Sequence, residues 1–115
     1  ATDIDALVDF AFEKQADSAV NMSALHTRSS WLKHVDSDGK IQEHPAIASN
    51  AQENQPLYTP NGAMYLARTS ILREKMTFYT GNTYGFLMPP ERSLDIDSEW
   101  DVHMANLILQ QNKQV

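Results

Sequence analysis

Apolar residues recur at helical spacing near both ends of the chain. The first such pattern covers residues 3–15 and the second covers residues 99–112. The first pattern consists of Ile4, Leu7, Val8 and Ala11. The second consists of Trp100, Met104, Leu107 and Ile108, followed by the uncharged residue Gln111. A period of three to four residues places such side chains on one face of a helix. The pattern therefore predicts an amphipathic helix near each end.

Shorter apolar segments between these helices are typical of strands. β-prone runs bounded by polar residues span Ser18–Leu25, Ala63–Ala67 and Tyr84–Met88. A short helix, capped by Thr69, is predicted to run to Lys75. Since helices and strands alternate along the chain, the sequence predicts the α/β class.

Two segments have the composition of tight turns. Asp36–Gly39 lies between apolar runs and predicts a hairpin. Thr59–Gly62 contains Pro-Asn-Gly, in which proline presets one φ angle while Asn and Gly tolerate positive φ. We therefore expect the chain to turn at both places.

The stretch from Ser93 to Asp101 carries a pair of acids that could bind a metal. Leu94 and Ile96 alternate with Asp95 and Asp97, and in a strand this alternation places both carboxylates on one face. Ser98 and Asp101 then match a helix-start cap, so the acids are expected where a strand ends and a helix begins. A hard cation such as Mg²⁺ would offset their repulsion. The alternative is that they only cap the helix and face water.

Composition narrows the functional classes. The 115 residues carry a net charge of −6 and a pI near 5.0, which argues against non-specific binding to nucleic acid or membranes, because both need a basic surface. The absence of cysteine excludes disulfides and a Cys nucleophile and fits a reducing cytoplasm. The sequence contains no common glycine-rich phosphate loop and no apolar run of bilayer length. We expect a soluble cytoplasmic protein.

Two motifs resemble the acylneuraminate cytidylyltransferases, also called CMP-sialic acid synthetases. That family carries a PNGA-(I/M)-Y segment followed, after an aromatic pair, by S-(I/L)-DID-(T/S)-E-x-D and a last helix. The matching segments here are Pro60–Tyr65 and Ser93–Asp101, and the resemblance covers essentially all 115 residues. It implies that residues 1–115 form the C-terminal portion of a cytidylyltransferase domain, the C-terminal half of a Rossmann-like nucleotidyltransferase fold with a mixed sheet.

The resemblance also implies roles for single residues. Asp95 and Asp97 match the family acids that hold Mg²⁺ on the nucleotide phosphates. Tyr65 matches an aromatic residue that touches the acid sugar, and Phe78 and Tyr79 match an aromatic pair that lines its side chain. From the residues alone, the three aromatics would be assigned to ordinary core packing.

Further implied contacts concern the sugar and a second subunit. Asn61 is expected to hydrogen-bond sugar hydroxyls. Arg28 matches a basic residue that reaches the sugar carboxylate from the partner subunit of a dimer. The position of a second such residue falls near Ala51, in a run without a basic side chain, so the resemblance implies a nonulosonic acid without fixing which one.

We expect a homodimer in which residues 26–56 contribute much of the contact. This excursion contains more apolar side chains than a solvated loop needs, namely Trp31, Leu32, Val35 and Ile41. A monomer in sedimentation at micromolar concentration, with the N-terminal half present, would contradict the expectation.

The implied reaction transfers CMP from CTP to a nonulosonic (sialic-type) acid and releases pyrophosphate. The family's nucleotide loop lies near the N-terminus of the full domain and has no match in this sequence. We therefore expect the chain to be a C-terminal piece that is inactive by itself, whether a fragment, a cleavage product or one chain of a larger assembly. The alternatives are a non-catalytic interaction domain and a cytidylyltransferase for another acid sugar such as 3-deoxy-manno-octulosonate.

Overall fold

Helices and strands alternate along the chain, which confirms the α/β class. The computed structural model describes residues 2–27, 29–43 and 56–113. Its main elements, in chain order, are α1 (Thr2–Lys14), β1 (Ser18–Leu25), β2 (Lys33–Val35), β3 (Ile41–Glu43), β4 (Leu57–Ala67), α2 (Thr69–Lys75), β5 (Thr83–Leu87) and α3 (Glu99–Asn112). Short 3-10 helices occur at Ser29–Trp31 and Pro90–Arg92.

Strand β1 is the centre of a mixed three-stranded sheet with the order β4-β1-β5. It runs parallel to β5, with Ser18 opposite Thr83 and Met22 opposite Leu87. The first four residues of β1 are all buried, as expected for a strand that has a neighbour on each side and is covered on both faces. The arrangement is compatible with a fragment of the Rossmann-like fold that the resemblance implied.

Helix α1 covers part of this sheet. Leu7 is buried, and the Phe10 ring lies 5.2 Å from the Phe86 ring. The start of α1 is held by an ion pair in which the Arg92 guanidinium donates to both carboxylate oxygens of Asp3, at 3.0 and 3.2 Å. None of the helices among the described residues has the length and apolarity needed to cross a bilayer.

Helix α3 has the predicted span but packs on a rotated face. Its half-buried positions are Asp101, Met104, Ala105 and Ile108. Trp100 and Leu107, which the periodicity placed on the packed face, are exposed. At the first turn the Asp101 side chain turns back to cap the helix, and Asp101 belongs to the half-buried face.

The chain divides into two compact units, Ala1–Ser23 with Pro60–Val115, and Ala24–Thr59. In the second unit, β2 and β3 pair antiparallel with Val35 opposite Ile41, which confirms the hairpin around Asp36–Gly39. Val35 and Ile41 are exposed. The proposed contribution of residues 26–56 to a dimer stays a prediction.

The tight turn predicted at Thr59–Gly62 is wrong, because β4 runs without interruption from Leu57 to Ala67. Pairing with β1 overrides the local turn preference, and Pro60 is tolerated because β4 is the outer strand of the described sheet. The turn chemistry persists as a local irregularity. Gly62 has φ of +74°, and the Asn61 side chain accepts a hydrogen bond from the Ala63 amide at 3.0 Å.

The strand predicted at Leu94–Asp97 is also wrong. These residues are irregular and connect the second 3-10 helix to α3. Leu94 and Ile96 are both exposed, so the alternating pattern has no buried face in the part of the molecule described. The acids are therefore held by contacts other than a sheet ladder.

Thr69 is not the cap of α2. The N-cap residue is Arg68, which is extended and makes no side-chain cap. Its backbone amide donates to Asp17 at 2.9 Å and its Nε donates to the Ala16 carbonyl at 3.0 Å. These long-range contacts place the helix start one residue earlier than the local sequence indicates.

Candidate metal and sugar site

Asp95 and Asp97 lie next to each other immediately before α3. The negative charge of Asp95 raises the pKa of Asp97, and partial loss of hydration and a side-chain hydrogen bond with Asp95 add to the rise. The charge of Asp101 makes the smallest contribution. The two acids singled out in the sequence are therefore close enough for one carboxylate to affect the protonation of the other.

The predicted helix cap is made by Ser98 and Asp101. The Asp101 carboxylate accepts from the backbone amides of Asp97 and Ser98, both at 3.0 Å, and the Ser98 hydroxyl oxygen accepts from the Asp101 amide at 3.3 Å. The bond from the Asp97 amide is the main cause that lowers the pKa of Asp101, followed by the bond with the Ser98 side chain. The carboxylates of Asp95 and Asp97 are exposed and take no part in this capping box, so their role as metal ligands stays a prediction.

The Asp95 carboxylate lies directly against Gly62. A Cβ atom built on Gly62 would stand 2.8 Å from Asp95 Oδ2 and 3.0 Å from Asp95 Cγ. The first distance is shorter than Cβ contacts in proteins, so the carboxylate would have to shift. The PNGA-like and DID-like motifs, which are far apart along the chain, therefore meet at this point. Periodicity and turn chemistry gave no sign of this contact.

Asn61 is buried, with 6% of its surface exposed. Its Oδ1 accepts the Ala63 amide, and its Nδ2 lies 3.7 Å from the Met88 sulfur. Asn21 in β1 donates its Nδ2 to the same sulfur. Asn61 therefore uses part of its hydrogen-bonding capacity to hold β4, and its predicted contact with sugar hydroxyls stays a prediction.

The structure brings two of the three implied sugar-binding aromatics together. The Tyr65 and Phe78 rings lie 5.2 Å apart at an angle of 51°, and Tyr65 and Tyr79 are about half exposed. The Phe78 carbonyl accepts from the hydroxyls of Ser18 and Thr83, which anchor it to the starts of β1 and β5. Tyr65 follows Gly62 by three residues on β4, a distance of about 10 Å along a strand.

The donors at the acid pair fit a magnesium ion that is shared with a phosphate ligand. Within residues 2–27, 29–43 and 56–113 there is no group of three or more His, Asp or Glu side chains arranged to hold a metal. Mg²⁺ usually keeps several waters and is bound through one or two carboxylates together with substrate phosphates. Two adjacent carboxylates match that requirement. Arg28, the remaining implied sugar ligand, lies outside the described residues.

Comparison with known proteins confirms the resemblance to the acylneuraminate cytidylyltransferases. No family model matches the chain. It is 47% identical over 101 residues to the N-acylneuraminate cytidylyltransferase of Streptococcus agalactiae serotype V, covering 85% of this chain and 24% of that protein. It is 26% identical over 101 residues to the CMP-N,N'-diacetyllegionaminic acid synthase of Legionella pneumophila, covering 84% of this chain and 43% of that protein. The chain thus spans less than half the length of these relatives and matches their C-terminal parts.

Proposed function

We propose that the full-length protein transfers CMP from CTP to a nonulosonic acid of the sialic type and releases pyrophosphate. The observation that carries the proposal is the meeting of the two family-like motifs at Gly62 and Asp95. It is supported by relatives whose names describe cytidylyl transfer to acids of this type. The nucleotide-binding loop that the reaction needs would be supplied by another part of the full-length protein.

Asp95 and Asp97 are assigned to hold Mg²⁺ on the nucleotide phosphates. The metal, when bound, supplies positive charge that offsets the charge developing on the α-phosphate. The anomeric hydroxyl of the sugar attacks the α-phosphorus, the bond from that phosphorus to the pyrophosphate oxygen breaks, and the hydroxyl proton passes to solvent water. Tyr65, Phe78 and Tyr79 are assigned to orient the sugar for this attack by packing against it.

The proposed acceptor is a nonulosonic acid with acylated amino groups. The streptococcal relative is named for N-acylneuraminate and the Legionella relative for N,N'-diacetyllegionaminate. Both are nonulosonic acids that carry acylated amino groups. Apolar side chains such as Phe78 suit the methyl group of an acyl substituent, because burial of a methyl in an apolar site is favourable.

The proposal is tested by replacing the acids in the full-length protein. Asp95→Asn and Asp97→Asn should each lower CTP-dependent pyrophosphate release by about a hundredfold or more, since an amide is a poor ligand for Mg²⁺ and loss of metal stabilisation costs several kcal/mol. Asp9→Asn removes an exposed acid from α1 and serves as the matched control. The acceptors in the assay are N-acetylneuraminate, N,N'-diacetyllegionaminate and 3-deoxy-manno-octulosonate.

Each outcome separates the candidate functions. Turnover with 3-deoxy-manno-octulosonate alone would move the protein to the other cytidylyltransferase class. An absence of turnover with every acceptor would favour a non-catalytic interaction domain. Wild-type activity in both acid variants would show that Asp95 and Asp97 do not hold the metal.

A further inference from the structure

We propose that Gly62 is a positioning residue that fixes the Asp95 carboxylate, and that the absence of a side chain at position 62 is required for this. The inference rests on the proposed function in one respect, since it takes Asp95 to be a metal ligand. The contact between the two residues is independent of that assignment.

The steric argument comes from the space around Gly62. All three heavy atoms of the Asp95 carboxyl group lie within reach of a Cβ at position 62, at 2.8, 3.0 and 3.2 Å. A methyl group there would have to displace the carboxylate. Since Asp has a short side chain with only two torsions, it cannot move aside while keeping its oxygens in place.

The backbone at Gly62 is restricted as well. Its φ of +74° belongs to the region that residues with a side chain rarely adopt. The neighbouring Asn61 fixes this conformation, because its buried side chain accepts the Ala63 amide and contacts Met88. The Gly62 backbone, against which the Asp95 carboxylate lies, is therefore held in place by β4.

The contact between Gly62 and Asp95 helps to hold the acidic segment, which makes no β-sheet hydrogen bonds of its own. Leu94–Asp97 is not a strand, so backbone pairing does not hold these residues. Contact with β4 locates Asp95 on one side, and the capping box, which binds the Asp97 amide, locates the chain on the other. We infer that the separation of the two carboxylates depends on both supports.

The direct test measures metal binding in the full-length protein. Gly62→Ala should weaken binding of Mn²⁺ in the presence of CTP, followed by electron paramagnetic resonance, by about tenfold or more, as changes next to metal ligands commonly do. Gly81→Ala is the neutral control, since a Cβ there meets nothing within 4 Å. Gly39→Ala is the control for backbone strain, because Gly39 has φ of +85° and equally open surroundings.

A double-mutant cycle in thermal unfolding keeps the test valid if Gly62→Ala is unstable. Asp95→Ala removes the carboxyl atoms that the new methyl group would meet. Gly62→Ala should therefore lower the melting temperature less in the Asp95→Ala background than in the wild type. Equal losses in the two backgrounds would overturn the inference.

The two proposals fail in different ways. If Gly62→Ala binds Mn²⁺ as the wild type does while Asp95→Asn does not, the positioning role is wrong and the proposed function stands. If Asp95→Asn also binds Mn²⁺ as the wild type does, the metal assignment in the proposed function is wrong. In that case the unfolding cycle still reports whether Gly62 and Asp95 are in contact.

Discussion

Gly39 and Gly62 both have positive φ and lie near an Asp or Asn side chain that accepts backbone amides. The two glycines differ in the space around them. At the hairpin, Asp36 Oδ1 accepts the amides of Asp38 and Lys40 at 3.0 and 2.9 Å, and a Cβ on Gly39 would meet open space. In β4, Asn61 Oδ1 accepts the Ala63 amide, and a Cβ on Gly62 would meet the Asp95 carboxylate.

The difference between these two glycines shows what a short polar residue followed by glycine specifies. A short polar side chain followed by glycine predicts a local backbone conformation with positive φ. Whether the chain then reverses direction is decided by the strands on either side. At Gly39 the flanking strands pair with each other, whereas β4 pairs with β1 and continues through Gly62.

The largest effect in this comparison is expected from asparagine at each glycine. Asn tolerates positive φ better than other residues with a side chain, so Gly39→Asn should change the free energy of unfolding by less than about 0.5 kcal/mol. Gly62→Asn should cost about 1–3 kcal/mol, because its Cβ meets Asp95. Chemical denaturation of both variants measures the difference. Equal losses would mean that backbone strain, not the Asp95 contact, sets the requirement for glycine at position 62.

A smaller difference in the free energy of unfolding is expected when the polar side chain that accepts backbone amides near each glycine is removed. Asn61→Ala should cost about 1.5 kcal/mol, because Asn61 is buried and water does not easily replace its contacts. Asp36→Ala should cost about 0.5 kcal/mol, because its partners at the exposed hairpin can bond to water instead. Denaturation curves give both values. A larger loss for Asp36→Ala would contradict the assigned difference in burial.

The smallest effect is expected from titration of the acids near Gly62. Because Asp95 raises the pKa of Asp97 above its ordinary 3.8, the folded state binds this proton more tightly than the unfolded state. The contribution to stability is full below 3.8 and is lost as the pH rises through the folded-state pKa. Asp97→Asn should therefore gain stability relative to the wild type as the pH rises from about 3 to 6.

Asp101 provides a control of opposite sign for this titration. Its pKa is lowered in the folded state, so its contribution is present above 3.8 and lost as the pH falls through the folded-state pKa. Asp101→Asn should lose stability relative to the wild type as the pH rises. Melting temperatures across this range test both variants, and a common direction for the two would contradict the assignment.

The elements that depend on local periodicity were predicted well. The span of β1 is as predicted, α3 covers the predicted residues, and α1 is shifted by one residue. The hairpin between β2 and β3 is also confirmed. In each case the information lies within a few consecutive residues, through side-chain spacing, a cap or a turn.

The elements that depend on distant partners were not predicted. Pro60–Gly62 has the local composition of a turn, and only the neighbouring β1 makes it part of a strand. Leu94 and Ile96 alternate as in a strand, but alternation cannot supply the partner that a strand needs. The packed face of α3 was missed because periodicity follows apolar residues, whereas the half-buried face also includes the charged residue Asp101.

The same distinction between local and distant contacts applies to the candidate site. The resemblance singled out Asp95 and Asp97 as metal ligands, and that role stays a prediction. It did not single out Gly62 as the surface under Asp95, because that contact joins two separate motifs. The roles of Asn61, Tyr65, Phe78, Tyr79 and Arg28 toward a sugar remain predictions.

The parallel pairing of β1 with β5 has a consequence for how the chain length can vary. Ser18 pairs with Thr83, and the segment between them contains Ala24–Thr59 as a separate compact unit. The entropy of closing such a loop grows only with the logarithm of its length, by about 0.6 kcal/mol for each doubling. Insertions in that unit, outside its strands, should therefore change equilibrium stability little. Folding should be more sensitive to them, because the central strands cannot pair until the whole intervening segment has been brought back on itself.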